Sequence, residues 1–243
     1  MNIRRNISAT LLWVVFLIIF ILLDLFYGSR MSGSGEADIA VIITRIRLPR
    51  IITAIIAGSG LSLAGVQMQS ILRNPLADPH IMGISSGASL GAASATLIGG
   101  SIATGSVLQG LPVAIAAIAG ALLTSFIIIA AGKRLKGAMT LLIFGVMLGF
   151  IANAVITVMQ SNSNAESLKI FHSWSAGSFA TTSWKELLIL STTLSAAVVL
   201  SAINHKGLDI ILFGDEFAEL ASISPQKTRF LALLSCCLIT GAV

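Results

Sequence analysis

Few residues in this sequence could do chemistry. Gly83-Ile84-Ser85-Ser86-Gly87 matches the G-x-S-x-G spacing of a hydrolase nucleophile. That nucleophile needs a strand entering the turn and a helix leaving it, which lifts the hydroxyl above a sheet. Here the serine opens an apolar run full of Ser and Gly, so the match reads as chance. No Walker A, HExxH or Cys-x-x-Cys pattern occurs. The chain therefore cannot hydrolyse ATP alone, and active transport would draw its energy from another subunit. Cys236 and Cys237 are adjacent in an apolar run. Neighbours on a helix diverge, so a disulfide between them is implausible, and two sulfurs make no metal site. His172 stands alone. No catalytic residue, cofactor or metal ligand is expected.

What remains is charge and neutral polarity in an apolar background. Arg45, Arg47 and Arg50 place three positive charges within six residues at the mouth of an apolar run. Two readings stand. Arginines snorkel to lipid headgroups, and a basic cluster docks an acidic partner through charge-assisted pairs that fix register and speed encounter. Gln67, Gln69, Ser85, Ser86, Ser89, Asn153, Thr157 and Gln160 are the polar groups inside the apolar runs. They line a hydrated path or satisfy one another between helices. No Glu, Lys, Arg or His sits in the middle of a run, and Asp24 lies near the end of the first. That weakens an ion- or proton-coupled carrier, which needs such a group.

The elements that position these residues follow from composition. Hydrophobic residues make up 56% of the 243 and charged residues 10%, against roughly 25% charge in a soluble domain. The chain is an integral membrane protein. Without an alternating pattern its spans are helices, not a barrel, so it is an all-α polytopic bundle. Its net charge of +5 reflects Lys and Arg in loops that set topology, not a nucleic-acid partner. Apolar segments cover 9–27, 51–71, 81–98, 112–131, 139–159, 186–203 and 229–243. The first follows Arg4 and Arg5 like a signal peptide but runs too long, so it reads as an uncleaved span. The last has 15 residues, short of the roughly twenty that cross the hydrocarbon; the sequence is expected to continue beyond Val243. With the N-terminus in the cytoplasm, nine basic residues fall inside and six outside, and Lys133-Arg134-x-Lys136 is the clearest inner marker.

Small residues recur at every fourth position: Gly83, Gly87 and Gly91; Ala116 and Gly120; Gly145 and Gly149. Such faces let helix backbones approach closely. The stretch 73–80 carries two prolines and reads as a rigid turn between spans. Residues 160–185 hold Trp174 and Trp184, suited to the interfacial belt, with Ile170, Phe171 and Trp174 on one face of a short helix. The loop from His205 to Thr228 differs in kind. Leu208, Ile211 and Leu212 recur at helical spacing, Gly214 interrupts, and a second short helix, 215–221, begins with Asp215 and Glu216, where a helix N-terminus favours negative charge. Two short helices hinged at a Gly make a knob that a partner could grip.

RLPR at 47–50, the Gly- and Ala-rich run at 58–69 ending in Met68-Gln69, NPLADP at 74–79 and GISSGASLG at 83–91 resemble the permeases of iron-chelate and vitamin B12 importers, membrane subunits of ATP-binding-cassette transporters. The likeness continues through 141–155, WSAGSF at 174–179 and GDEFA at 214–218, and covers nearly the whole chain. It implies one transmembrane permease domain over 1–243 in a bacterial cytoplasmic membrane. Its partners would be a second permease subunit, two cytoplasmic ATPases, an extracytoplasmic binding protein and an iron-chelate substrate (ferric siderophore or haem), with cobalamin the other cargo of such systems. By the resemblance Arg47 and Arg50 dock the binding protein. Leu208, Leu212, Gly214, Asp215, Glu216 and Ala218 couple to the ATPase. Asn153, Thr157 and Gln160 line the path, and Gly137, Ala138 and Met139 form its cytoplasmic constriction. Two departures stand out. The family's Leu-Gly pair after the coupling motif is Ala221-Ser222 here, which makes a left-handed helix end costlier. And the family has about ten spans, each of the usual membrane length, of which the last three are absent from this sequence.

Overall fold

The computed structural model describes residues 3–27, 41–98, 111–132, 138–179 and 182–243. The described elements are helical. They are α1 (Ile3–Tyr27), a π-turn (Ile43–Arg47) leading into α2 (Leu48–Leu72), α3 (Ile84–Ala93) with a second π-turn (Ser94–Ile98), α4 (Leu111–Gly132), α5 (Ala138–Ser161), α6 (Ala165–Ser175), α7 (Trp184–Ile211), α8 (Asp215–Leu220) and α9 (Pro225–Ala242). Among the described residues four helices are long and apolar enough to cross a membrane: Ile43–Leu72, Val113–Gly132, Met139–Ser161 and Trp184–Ile211. The chain forms two compact units, Met1–Ile55 with Ser178–Leu187, and Ile56–Gly177 with Leu188–Val243.

In the first unit Pro49 sits one turn inside a continuous helix. Proline lacks the N–H that would bond the carbonyl four residues back, and its ring crowds that carbonyl. The widened π-turn just before it absorbs the mismatch. The helix thus starts earlier than the apolar run suggests, and Arg45 and Arg47 lie on its π-turn.

In the second unit α3 packs against both α4 and α5, and α9 packs on α4. The small residues at fourfold spacing face one another. A Cβ on Gly91 would collide with the Ala116 carbonyl, and one on Gly120 with the Gly87 carbonyl. On the other side a Cβ at Gly83 would lie 2.6 Å from the Gly145 carbonyl. Gly83 also needs φ +74 to start α3, a conformation only glycine enters freely. Around this seam Met68 and Ile71 of α2, Ile128 of α4 and Leu233 and Ile239 of α9 are fully buried. Cys236 and Cys237 are free and buried among them.

Two turns complete the frame. The Asn74 N–H bonds the Gln69 carbonyl across Arg73 at φ +49, so α2 ends in a Schellman motif with Arg where Gly is usual. The Asn74 and Asp78 carboxamide and carboxylate oxygens accept from the Leu76 and His80 amides at 2.9 and 2.6 Å. These Asx bonds give the expected rigid turn its rigidity.

Candidate functional site

The structure alters the expected knob. Residues 205–211 are not a separate short helix: α7 continues through them to Ile211. Gly207 does not break it, because it is buried where a Cβ would meet the Thr228 side chain, and Asn204 beside it donates to the Thr228 carbonyl at 2.8 Å. The chain turns only at Gly214, φ +120. From there α8 runs six residues. The Ile223 N–H then bonds the Ala218 carbonyl at 2.8 Å across Ser222, φ +59. The left-handed helix end expected of glycine is made here by serine. Ser224 caps α9 and Pro225 occupies its first turn.

Asp215, first in α8, is held from two sides. Arg229 Nη2 donates to both of its carboxylate oxygens at 2.9 Å. Arg73, at the end of α2, pairs with Oδ1. A groove of about 800 Å3 opens beside this triad, lined by Arg73, Met139, Leu142, Phe213, Glu216 and Phe217 among others. Its rim is apolar and bare: Phe213 is 76% exposed and Leu220 86%, with the Phe213 and Phe217 rings 5.5 Å apart.

Of the expected coupling residues, Leu208 and Ala218 are buried in the bundle, Leu212 and Glu216 are exposed, Gly214 makes the turn and Asp215 is the ion-pair hub. Met139 joins them on the groove wall. Ala138 is the first residue of α5; Gly137 and the cluster Lys133-Arg134-x-Lys136 lie outside the described residues. Asn153 and Thr157 are exposed further along α5, the former about 20 Å from Met139 at 1.5 Å per residue. Asn153 Nδ2 makes a long contact of 3.5 Å to Ser86 Oγ, and Thr157 donates to the Asn153 carbonyl at 2.9 Å. Gln160 is half-buried near the end of the helix. The structure thus brings three of the six expected coupling residues, Gly214, Asp215 and Glu216, to one groove with Met139 and leaves Asn153, Thr157 and Gln160 off it. Ser85 Oγ is buried with no hydrogen-bond partner among the described residues. It follows a turn, not a strand, and no base hydrogen-bonds to it among the described residues, so the nucleophile spacing reads as coincidental.

In the first unit Arg47 Nη1 donates to the carbonyls of Leu25 at 2.5 Å and Asp24 at 3.3 Å. It caps the C-terminal turn of α1, where unsatisfied carbonyls and the helix dipole favour a cation. Arg45 and Arg50 are exposed. Trp184 Nε1 donates to the Thr44 carbonyl on the π-turn at 3.3 Å. Neither this cap nor the Arg73–Asp215–Arg229 triad has a local sequence signal.

Residues 11–243 match the model of the FecCD transport family, and the chain belongs to that family. It is an all-α membrane protein with the helix bundle of that permease type. It is 32% identical over 200 residues to the hemin transport system permease protein HmuU of Yersinia pestis, covering 82% of this chain and 59% of that one. It is 34% identical over 181 residues to the vitamin B12 import system permease protein BtuC of Klebsiella pneumoniae, covering 73% and 53%. The chain spans little more than half the length of these relatives. A solved structure described as an inward-facing metal-chelate type ABC transporter superposes with a TM-score of 0.81 at 26% identity, covering 94% of this chain and 72% of that one.

Proposed function

We propose that the chain is the permease part of an ATP-driven importer that carries an iron chelate, a ferric siderophore or haem, across a bacterial cytoplasmic membrane. The observation that carries this reading is the bare knob of α8. A soluble surface does not usually leave Phe213, Phe217 and Leu220 uncovered beside fixed charges without a partner to receive them. An ATPase seats on this knob, and closure of two ATPases drives alternating access through a path shared with a second permease copy. The constriction is assigned to Gly137, Ala138 and Met139, of which Met139 stands on the groove wall beside the knob. Asn153, Thr157 and Gln160 line the path deeper in. The N-terminus and the knob face the cytoplasm, in line with Lys206, Lys227, Arg73 and Arg229 around α8. A binding protein docks outside on Arg50 and Arg47. Arg50 is fully available to it, whereas Arg47 already holds α1.

Similarity to the haemin permease and to the metal-chelate structure supports the iron-chelate cargo. Similarity to the vitamin B12 permease supports cobalamin as the second reading. Uptake of radiolabelled ferric siderophore, haemin and cobalamin by cells producing the complete transporter separates them. Copurification of an ATPase bearing a Walker A motif is the expected result for the class, and transport by the chain alone in vesicles refutes it. Arg50→Glu should weaken binding-protein affinity about tenfold or more, with partial recovery when the partner's carboxylate becomes Lys; unchanged affinity removes the docking assignment.

A further inference from the structure

We infer that Asp215 is the joint that seats the α8 knob on the bundle, a positioning residue and not a surface offered to the partner. The inference rests on reading α8 as the coupling element. A six-residue helix does not hold itself, and α8 has few anchors. Ala218 is its one fully buried residue. Phe217 and Leu220 point away, 51% and 86% exposed. Both flanks are turns through left-handed backbone, at Gly214 and Ser222. Between these two flexures the fixed point is the Asp215 carboxylate, shared by guanidiniums from two other elements, the end of α2 and the first turns of α9.

The joint is also releasable. Asp215 and Arg73 are each 37% exposed in their side chains, and Arg229 17%. Ion pairs at that exposure are weak and screened by salt. A push on the exposed face of α8 therefore passes through Asp215 into α2 and α9 while the pairs hold, and is lost when they part.

The test uses the full chain in detergent without any partner, with a nitroxide on Leu220→Cys; Cys236 and Cys237 are buried. Asp215→Asn should raise the ratio of mobile to immobile label about threefold, as expected of exposed ion pairs. Arg73→Gln should raise it alone and add nothing on top of Asp215→Asn. Asp215→Glu should keep most of the immobile component, which a purely steric role would not allow. If Asp215→Asn fails to fold, salt replaces it: from about 0.1 M to about 1 M the Debye length shrinks from about 10 Å to about 3 Å, and the unmutated background should show the same rise. Identical spectra for Asp215→Asn and its parent, or for Arg73→Gln and at high salt where Asp215→Asn does not fold, overturn the joint. A mobile label in Asp215→Asn together with no ATPase copurifying with any form of the chain would sink the coupling reading and leave the joint standing.

Discussion

The seam between α3 and its neighbours and the knob of α8 are built by opposite means. At the seam, backbone lies on backbone, and no atom can be added at Gly91 or Gly120 without moving a helix. In hydrocarbon, where burying apolar surface gives no drive between helices, such close approach is what holds a bundle. At the knob almost nothing is packed. Large apolar side chains stand in the open, and two arginines grip one carboxylate. Parts that must move come from the weakly packed end of a structure. On the coupling reading proposed above, the seam is the frame and the knob the moving part.

The comparison breaks most directly at the seam. Gly91→Val should cost about 3 kcal/mol or more by overpacking and appear as loss of the monodisperse peak and early thermal unfolding in detergent. Tolerance there equal to that at Gly65 would refute the seam. Loss of the α1 cap comes next: Arg47→Ala should lower thermal stability by about 1–2 kcal/mol, while Arg50→Ala leaves it unchanged. At the knob, Ser222→Gly should stabilise by about 1 kcal/mol, because the left-handed backbone costs a side chain roughly that much; differential scanning of the two proteins reads the sign. Gly65, whose Cβ would meet nothing within 4 Å, should gain about 0.5–1 kcal/mol as Ala. The smallest effect is Leu220→Ser, within about 0.5 kcal/mol for so exposed a site, and any larger loss of stability means that the knob is packed after all.

The frame was legible because its signals are local. Gly83, Gly87 and Gly91 announce a close-packed face by spacing alone, and the prolines at 75 and 79 announce a turn. The helix boundaries were less so: the apolar run ends near 203 and a loop is expected from His205, yet with Gly207 buried against Thr228 α7 runs on to Ile211. The joint could not be read at all. Arg73 and Asp215 are 142 residues apart, and nothing in a run of sequence tells a topology-setting arginine from one that holds a carboxylate. Arg47 illustrates the same point. Its motif suggests an outward-facing charge, while its guanidinium is engaged by carbonyls of a helix more than twenty residues earlier.

One small polar chain runs through the bundle. Gln67 Nε2 donates to Ser235 Oγ at 3.1 Å, and that hydroxyl donates to the Ala197 carbonyl at 3.0 Å, all of it buried. It stitches α2 to α9 and α9 to α7. Greasy cylinders can otherwise rotate or slide past each other at little cost, since one aliphatic surface meets lipid as well as the next. A screw motion of a single residue would strand an amide in oil. These few atoms therefore act as a vernier, fixing the angle and height at which three rods stand together.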